Sequence, residues 1–512
     1  MDLHRIISSS SLRTRAIIIA SSEISSWEKN NIIFFKPKGF GVGKCLILPS
    51  SGSSFRQGWQ SSGWGWGTAA RKETRCIEKL SQEPNQISKK QGTVAGAVAL
   101  IVGTSIGSGI LALPNKTSPA GLVPSSVAMT MCWAFLLIEA LVLVEVNVGL
   151  LKRKKSRREG DELEIISTRT MAQETLGEWG GVLATLTYVF LGYTSMVAYA
   201  AKSGEILCSL INLPESVCGI VFTATFAALI SVGGTKATDQ VNQWFTASMI
   251  GLLVAIEILA AVFGGWSGVE GSGGNWERVP AAIPVLIFSL VYHDLAPVLC
   301  AYLGGDLRRI RASVLIGSFI AFVPLLVWNA IALGLSAQVD QSVDPLELLL
   351  SIKWGGVSYM VEAFSLLAIG TSIIGTLLSF SEFFKEQLSN LLLHSGPFAN
   401  EKPNLNSGQR KLWGRNTISF AATAMVIAPS LLLSTTVPDA FYAATDIAGG
   451  YCMTMLYGVL PPAMAWAMHN RGDKDIDKGA ISRAKPALLC VCLIASCIVL
   501  EQIIADLSLL HL

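Results

Sequence analysis

An all-α integral membrane protein of about eleven transmembrane helices is the fold class this sequence predicts, and three observations carry it. The first is composition: of 512 residues, 51% are hydrophobic and only 15% charged, with a mean hydropathy of +0.50, where soluble domains carry roughly 25% charged residues. The second is a series of apolar runs of about 20 residues, the length that crosses a bilayer. The third is a defect in the first run, where Gly103, Gly107 and Gly109 alternate with Thr104, Ser105 and Ser108. Glycine costs a helix about 1 kcal/mol against alanine, and unpaired backbone groups in hydrocarbon cost several kcal/mol each. An irregular segment at membrane depth persists only where protein, water or a bound solute satisfies it, so this one is a candidate binding site.

The chain opens differently. Its first 70 residues hold fourteen serines, eight Lys or Arg and three acids (Asp2, Glu23, Glu28), the composition of an organelle transit segment. Ile17 to Ala20 is too short an apolar core for a secretory signal. The serines and the GWGWG run at Gly63 to Gly67 favour a plastid over a mitochondrion. The expectation is a transit peptide and disordered arm over 1–88, a membrane domain over 89–512, and residence in a plastid membrane, the inner envelope first; a disordered cytosolic tail is the alternative.

The apolar runs lie at 94–115, 121–150, 178–210, 217–233, 241–264, 279–303, 312–335, 357–385, 415–435, 439–467 and 486–508, numbered here as spans 1 to 11. The third exceeds what a bilayer needs and is expected to tilt or project. Every even-numbered exit is basic: Lys152, Arg153, Lys154, Lys155, Arg157 and Arg158 follow span 2, Lys236 follows span 4, and Arg308, Arg309 and Arg311 follow span 6. Lys385, Lys402, Arg410, Lys411 and Arg415 lie between spans 8 and 9, and Arg471, Lys474, Lys478, Arg483 and Lys485 follow span 10. The opposite loops, such as 336–356 with Asp340, Asp344 and Glu347, are acidic or neutral. The positive-inside bias places the N-terminus on the basic side and the C-terminus opposite.

Eleven spans divide as five, five and one: repeat one at about 94–264, repeat two at about 279–467, and an extra span at about 486–508. Inverted repeats demand a counterpart in span 6 to the interruption of span 1. Span 6 reads IPVLIFSLVYHDLAPVLCAY, with Pro284 and Pro297 bracketing Ser289, Tyr292, His293 and Asp294. Prolines remove backbone donors and bend helices, which gives this segment its own reason to unwind.

The run GTSIGSGILALPNKTSPAGLVPS, with VEVNVGL at Val144 to Leu150, resembles the aromatic amino acid permeases, the tryptophan- and tyrosine-specific, proton-coupled family within the amino acid/polyamine/organocation superfamily. The likeness continues in IPVLIFSLVYHDLAPVLCAY, in LAIGTSIIGTLLSF at Leu367 to Phe380 and in PDAFYAATDIAGG at Pro438 to Gly450, and covers residue 92 to about 470. It implies a five-plus-five inverted-repeat, LeuT-like fold with spans 1 and 6 broken, and import of tyrosine or tryptophan with a proton, as in a plastid-type plant member. The chain departs from the family at span 6. Leu290, Val291 and Tyr292 stand where a small, glycine-containing break commonly precedes the histidine, and Asp294 stands where a small residue is frequent.

A zwitterionic amino acid needs partners for both charges. Amides at the start of the second half of span 1, Gly107, Ser108 and Gly109, can cradle a carboxylate at the positive end of the half-helix dipole, and carbonyls around Gly103, Thr104 and Ser105 can accept from an ammonium. Glycine here permits unusual dihedrals and clears the backbone of side chains. The competing reading is a GxxxG packing face formed by Gly103 and Gly107; the neighbouring polar residues and the span-6 counterpart favour a site. For the substrate's side chain the candidates are Tyr292, Tyr188, Tyr193 and Phe441, each with ordinary packing as its alternative. Ser289, Thr371 and Ser372 are candidate hydroxyl partners, unless they bond backward to their own helices.

Ionisable groups at depth are costly and mark function. His293, Asp294 and Glu145 are the proton-coupling candidates, with His293 favoured because it titrates nearest neutrality; its alternative is to fix the span-6 break. Glu139, Glu257, Glu362 and Asp446 complete the set. Glu145 can instead pair with the Lys152 to Arg158 cluster.

Several function classes fall away. A net charge of +3 gives no reason to expect a nucleic-acid partner. The cysteines lack metal-type spacing and pack in predicted helices, with a Cys208–Cys218 disulfide the less favoured alternative. No GxxxxGK[ST] loop or HExxH motif is present, and the letters GxSxG occur as GTSIG at Gly103 to Gly107 inside an apolar run and not as a nucleophile elbow, so neither a cofactor, an ATP-driven pump nor an intramembrane enzyme is expected. The partners expected are the lipid bilayer, a small amino acid and H+, with Na+ coupling or a broader neutral substrate range as rivals and a non-transporting receptor behind them.

Overall fold

A computed structural model describes residues 92–157, 165–262, 274–336, 356–395, 407–470 and 478–510; the expected transit segment and most of the acidic loop lie outside them. The described residues form helices and no strand. Nine helices among them are long and apolar enough to cross a membrane: Leu122–Lys154, Glu178–Ile211, Glu215–Gly234, Ala237–Val262, Trp276–Tyr302, Leu307–Gly334, Val357–Ser389, Thr417–Thr436 and Leu488–Ser508. These are spans 2 to 9 and 11. Spans 1 and 10 are the remaining two of the expected eleven, and each is helical without being one regular α-helix.

Span 1 begins as Val94–Ser105, capped by the Thr93 hydroxyl, which accepts from Gly96 N at 3.0 Å. It opens at Ile106 (φ −87°, ψ 106°) and Gly107 (φ −152°, ψ −163°) and resumes as a 3-10 turn Ser108–Leu111 and a short helix Leu113–Thr117. Span 6 answers it. Ile283–Leu290 ends in extended Val291 (φ −73°, ψ 133°), passes Tyr292 (φ −138°, ψ 13°), and resumes through His293–Leu295 into Ala296–Tyr302. Pro284 and Pro297 each occupy the first turn of a half-helix, where no backbone donor is required. Span 6 is broken as expected, with the prolines starting its two halves and the break itself falling between them at Val291 and Tyr292.

Span 10 runs from Ala440–Ile447 through a π-helix, Ala448–Val459, into Leu460–Asn470. Pro461 and Pro462 lack the N–H groups that would bond back to Tyr457 and Gly458, which favours the wider winding just before them. Spans 4 and 5 are nearly continuous, turning at Gly234 (φ 66°, ψ 178°), a conformation that only glycine adopts cheaply. Span 3, 34 residues long, measures about 50 Å at the helical rise against a hydrocarbon core of about 30 Å, and so overreaches the bilayer as expected. The sequence reading missed one element, the helix Thr168–Leu176 between spans 2 and 3, capped by Ser167 and packed on spans 3 and 10.

The packing has the exchange symmetry that inverted repeats require: span 1 lies against span 7, and span 6 against span 2. Spans 3 and 8 pack on each other and on the span 4–5 hairpin, and span 11 lies outside the repeats against span 10. The basic ends gather as their charges predicted. Gly92 N donates to Tyr302 O at 2.9 Å, Arg309 Nη2 to Gly92 O at 2.5 Å, and Arg311 pairs with Glu145 at 2.5 Å, tying the start of span 1, the ends of spans 2 and 6 and the start of span 7. At the other end Asn275 N donates to Ala120 O at 2.9 Å, Lys116 pairs with Asp446 at 2.6 Å, and the Thr117 hydroxyl donates to Asn329 Oδ1 at 2.7 Å.

Spans 6 and 10 approach most closely at Gly449, where an added Cβ would overlap the Pro284 carbonyl oxygen. Gly449→Ala is expected to cost about 1–3 kcal/mol by overpacking, read as an earlier loss of monodisperse protein on heating in detergent. Gly375→Ala, whose added carbon meets nothing within 4 Å, is the control that should leave this unchanged.

Candidate functional site

The two breaks meet. The Ser289 hydroxyl on span 6 lies 2.8 Å from Gly109 O and 2.8 Å from Val285 O, so its one proton is shared between its own helix and the span-1 break. A Cβ on Gly109 would stand 2.9 Å from Ser289 Cα, and one on Gly107 would stand 3.0 Å from the Ser372 hydroxyl. Glycine's role at the break is therefore space. Ile106 and Gly107 are extended and Gly109 lies within the 3-10 turn, so no left-handed dihedral is involved, contrary to that part of the expectation.

Span 8 supplies the third wall. Ser372 Oγ accepts from Ser108 N at 3.1 Å, which satisfies one amide of the break. Among the described residues, no hydrogen bond reaches the amides of Gly107 and Gly109 or the carbonyls of Gly103, Thr104 and Ser105. Those groups form an unpaired donor set and acceptor set on either side of Ile106, as the cradle model requires. The second half of span 1 is short, so amides and not a long-helix dipole are what it offers. The side chains of Thr104 and Ser105 bond backward, to Leu100 O at 2.8 Å and Ile101 O at 2.9 Å, and Thr371 does so to Ala368 O at 3.0 Å. Gly103 faces span 5, 3.1 Å from Thr246 for an added Cβ.

On the span-6 side His293 is fully buried, its Nε2 2.9 Å from the Leu136 carbonyl oxygen of span 2. Nε2 thus carries the proton in this bond, and Nδ1 meets no partner among the described residues. The ring is stacked between Tyr292 (5.1 Å, 30°) and Tyr457 of span 10 (5.1 Å, 25°). This is the geometry of a ring that pins the break. Asp294 beside it is exposed in the middle of its span, accepts from the Tyr457 hydroxyl, and has Tyr188 and Tyr199 of span 3 within electrostatic reach. The residue keeps accessible surface, but its carboxyl group is closely surrounded, with the Tyr457 hydroxyl on it and two further tyrosines near. Glu145 is brought elsewhere, to Arg311 at the basic end, in place of the Lys152 to Arg158 partner weighed from sequence.

The aromatic candidates separate. Tyr292 is buried against His293, with Ser318 of span 7 in reach of its hydroxyl. Tyr188 and Tyr193 join Phe380, Phe383 and Phe384 in an edge-on cluster between spans 3 and 8, with centroids 5.0 to 6.2 Å apart for the Tyr pairs, and the Tyr193 hydroxyl donates to Met425 O at 3.1 Å. Tyr193 is thus turned away from the breaks. Phe441 lies on the opposite side, under the Lys202 ammonium at 5.3 Å, with Tyr442 at 5.5 Å.

Three residues the sequence reading passed over belong here. Tyr199 is buried on span 3 and faces Ser108, Ser195 and Thr376; Tyr457 holds both His293 and Asp294. Lys202, also fully buried, pairs with Glu205 at 2.5 Å. A lone lysine in the apolar run YAAKSGEI was the available signal for the last; nothing in sequence distinguishes the two tyrosines from packing. Of the other ionisable residues, Asp446 holds Lys116, while Glu257 and Glu362 each leave one oxygen without a partner. Cys208 and Cys218 are free thiols. No group of three or more His, Cys, Asp or Glu among the described residues is placed to hold a metal.

Comparison with known proteins places this site in context. A family model for the tryptophan/tyrosine permease family matches residues 90–502. The chain is 25% identical over 386 residues to "Tyrosine-specific transport system 1" of Haemophilus influenzae, covering 72% of this chain and 87% of that protein. It is 24% identical over 333 residues to "Tryptophan-specific transport protein" of Pseudomonas aeruginosa (60% and 75% covered), and 25% identical over 314 residues to "Glutamine transporter 2" of Aliivibrio fischeri (58% and 76%). Among solved structures, that of MhsT in complex with L-phenylalanine superposes with a TM-score of 0.53 at 14% identity, over 81% of this chain and 100% of that one. The LeuT-like fold expected from the sequence is thereby shared.

The Lys202 pair makes an asymmetric prediction. Lys202→Met should leave thermal stability unchanged or raise it, because Glu205 is 39% exposed and is resolvated. Glu205→Gln leaves the ammonium buried with Glu215 as the remaining acid in electrostatic reach, and should cost on the order of 3 kcal/mol in the same thermal assay.

Proposed function

We propose, for a chain that belongs to the tryptophan/tyrosine permease family, a secondary transporter that binds tyrosine or tryptophan across the paired breaks of spans 1 and 6 and carries it with a proton by alternating access. The observation that carries this reading is the pairing itself: two interrupted helices from opposite repeats, joined through Ser289 and Gly109, with unpaired backbone donors and acceptors on the span-1 side. The substrate carboxylate takes the amides of Gly107 and Gly109, and its ammonium takes the carbonyls of Gly103, Thr104 and Ser105. Ser108 contributes through its bond to Ser372, which holds the donor loop in register. Tyr292, Tyr199 and Tyr188 are the aromatic groups assigned to the substrate ring, with Phe441 and Thr371 as outer contacts.

Proton coupling falls to Asp294 before His293 and Glu145. Asp294 lies at the break itself with the Tyr457 hydroxyl on its carboxyl group, whereas His293 is locked by Leu136 and two tyrosine rings, and Glu145 is held by Arg311. Two features support keeping rivals in the assay. Thr371 and Ser372 lie on the helix beside the span-1 carbonyls, a donor set that suits Na+ as well, and one relative is named for glutamine. The serine-rich, basic N-terminal region supports a plastid membrane as the site of action, which sequencing the mature N-terminus tests: a chain still beginning at Met1 overturns the transit reading.

Counterflow of labelled tyrosine in proteoliposomes tests the central reading, because a receptor gives none. Unlabelled tyrosine or tryptophan inside should drive uptake, an acid-outside gradient should add accumulation, and a Na+ gradient alone should not. Gly109→Ala, which forces a carbon against the Ser289 backbone, should weaken tyrosine binding by about tenfold or more, equivalent to about 1.4 kcal/mol. Asp294→Asn should abolish stimulation by the acid-outside gradient; stimulation at the wild-type level would remove Asp294 from the coupling step.

A further inference from the structure

The packing of span 2 encloses a titratable group that the substrate site does not use. Glu139 lies near the middle of Leu122–Lys154, is 0% exposed, and has no hydrogen-bond partner on either carboxyl oxygen among the described residues. It belongs to the inward stripe of Cys132, Leu136, Glu139 and Leu143, spaced as one helical face. Leu136, one turn earlier, gives its carbonyl to His293. Phe135 packs beside the point where Gly458 of span 10 meets Ala495 of span 11, and Cys492 of span 11 is in electrostatic reach of Glu139. The carboxyl is therefore enclosed among spans 2, 10 and 11, one turn from the ring that pins the span-6 break.

Titratable groups on the packed elements include Tyr292, His293, Asp294 and Cys300 of span 6, Cys452 and Tyr457 of span 10 and Cys492 and Cys497 of span 11, and among the described residues none is hydrogen-bonded to Glu139. The cations described on neighbouring elements include Arg308, Arg309 and Arg311 of span 7 and Arg169 of the helix Thr168–Leu176, near the ends of their helices, and Arg311 is taken by Glu145. A carboxylate sealed in apolar surroundings without a cation or donor is the least tolerable form of this side chain; the neutral acid is the form that fits.

We propose that Glu139 is a proton-binding position of the transport cycle, holding a proton while spans 2, 10 and 11 are packed as here and releasing it when rocking of the bundle admits water. This deepens the transporter reading and rests on it. The step is a simple acid dissociation: the O–H bond forms from carboxylate and H+ on closure and breaks to the same pair on opening. Proton occupancy and the packed arrangement then stabilise one another, and a substrate that favours packing must raise proton affinity by the same factor.

The test uses the full chain in proteoliposomes with two readouts, gradient-free tyrosine counterflow and accumulation driven by an acid-outside gradient. Glu139→Gln, which mimics the protonated acid, should retain measurable counterflow, lose gradient-driven accumulation by about tenfold or more, and flatten the pH dependence of exchange. Accumulation and pH dependence at the wild-type level in Glu139→Gln overturn this proposal alone; wild-type protein without counterflow overturns the transporter reading and this with it. Should Glu139→Gln not fold, Glu139→Asp, which keeps the carboxyl, must shift the pH of half-maximal uptake, and an unshifted midpoint overturns the proposal equally.

Discussion

Backbone polar groups have no water to turn to at membrane depth, and that constraint organises this molecule. Two helices are interrupted, so their loose amides and carbonyls must be satisfied by other helices or by cargo. Span 8 provides Ser372 for the Ser108 amide, span 6 provides Ser289 for the Gly109 carbonyl, and span 2 provides the Leu136 carbonyl for His293. Each bond joins elements distant in sequence, so the breaks also hold the bundle together. What these bonds leave unsatisfied, the amides of Gly107 and Gly109 and the carbonyls of Gly103, Thr104 and Ser105, matches the common polar end of an amino acid. In the proposed transporter, ordering of the site and recognition of the substrate would follow from the same deficit.

The architecture was legible because its signals are compositional and periodic. Apolar runs, alternating basic exits and a glycine-serine interruption suffice to number the spans and locate both breaks. The mechanism of breaking was less legible. Glycine suggested special dihedrals, yet Gly107 is extended and Gly109 serves by letting the Ser289 backbone approach. Proline suggested bending, yet Pro284 and Pro297 begin half-helices. In both cases residue type signals irregularity, while the cause depends on a neighbour many residues away. The close approach of span 10 to span 6 was hidden for the same reason, since Gly449 is required by the Pro284 carbonyl.

The side chains divide along similar lines. Backbone-mediated contacts could be anticipated, because Gly, Ser and Thr mark them locally. Aromatic roles could not, since a tyrosine in an apolar run looks alike whether it packs or lines a cavity. Tyr193 turned toward span 9 and a phenylalanine cluster, whereas Tyr457, indistinguishable from it in sequence, holds both His293 and Asp294. The polar groups of the span-1 break are thus local in sequence, while the aromatic surroundings of span 6 are assembled by the fold.

Alternating access further requires that one end of the bundle open while the other stays shut. The ties at the two ends suit this. Lys116–Asp446 joins spans 1 and 10 at one end, and Arg311–Glu145 joins spans 7 and 2 at the other, with the second pair 44% and 31% exposed. Exposed ion pairs contribute little net stability, so the Arg311–Glu145 tie can be released and remade at small cost, whereas Lys116–Asp446, with Asp446 buried, is the firmer of the two. The interior contacts are of the opposite kind: Gly449 against the Pro284 carbonyl and Gly109 against Ser289 leave no room for a side chain, and such close approaches move as units or not at all. Spans 1 and 6 are fastened to each other through Ser289, and span 6 to span 10 through Gly449. A motion that preserves these fits would carry the three spans together, and among the described residues the hydrogen bond by which span 8 holds the break is that of Ser372.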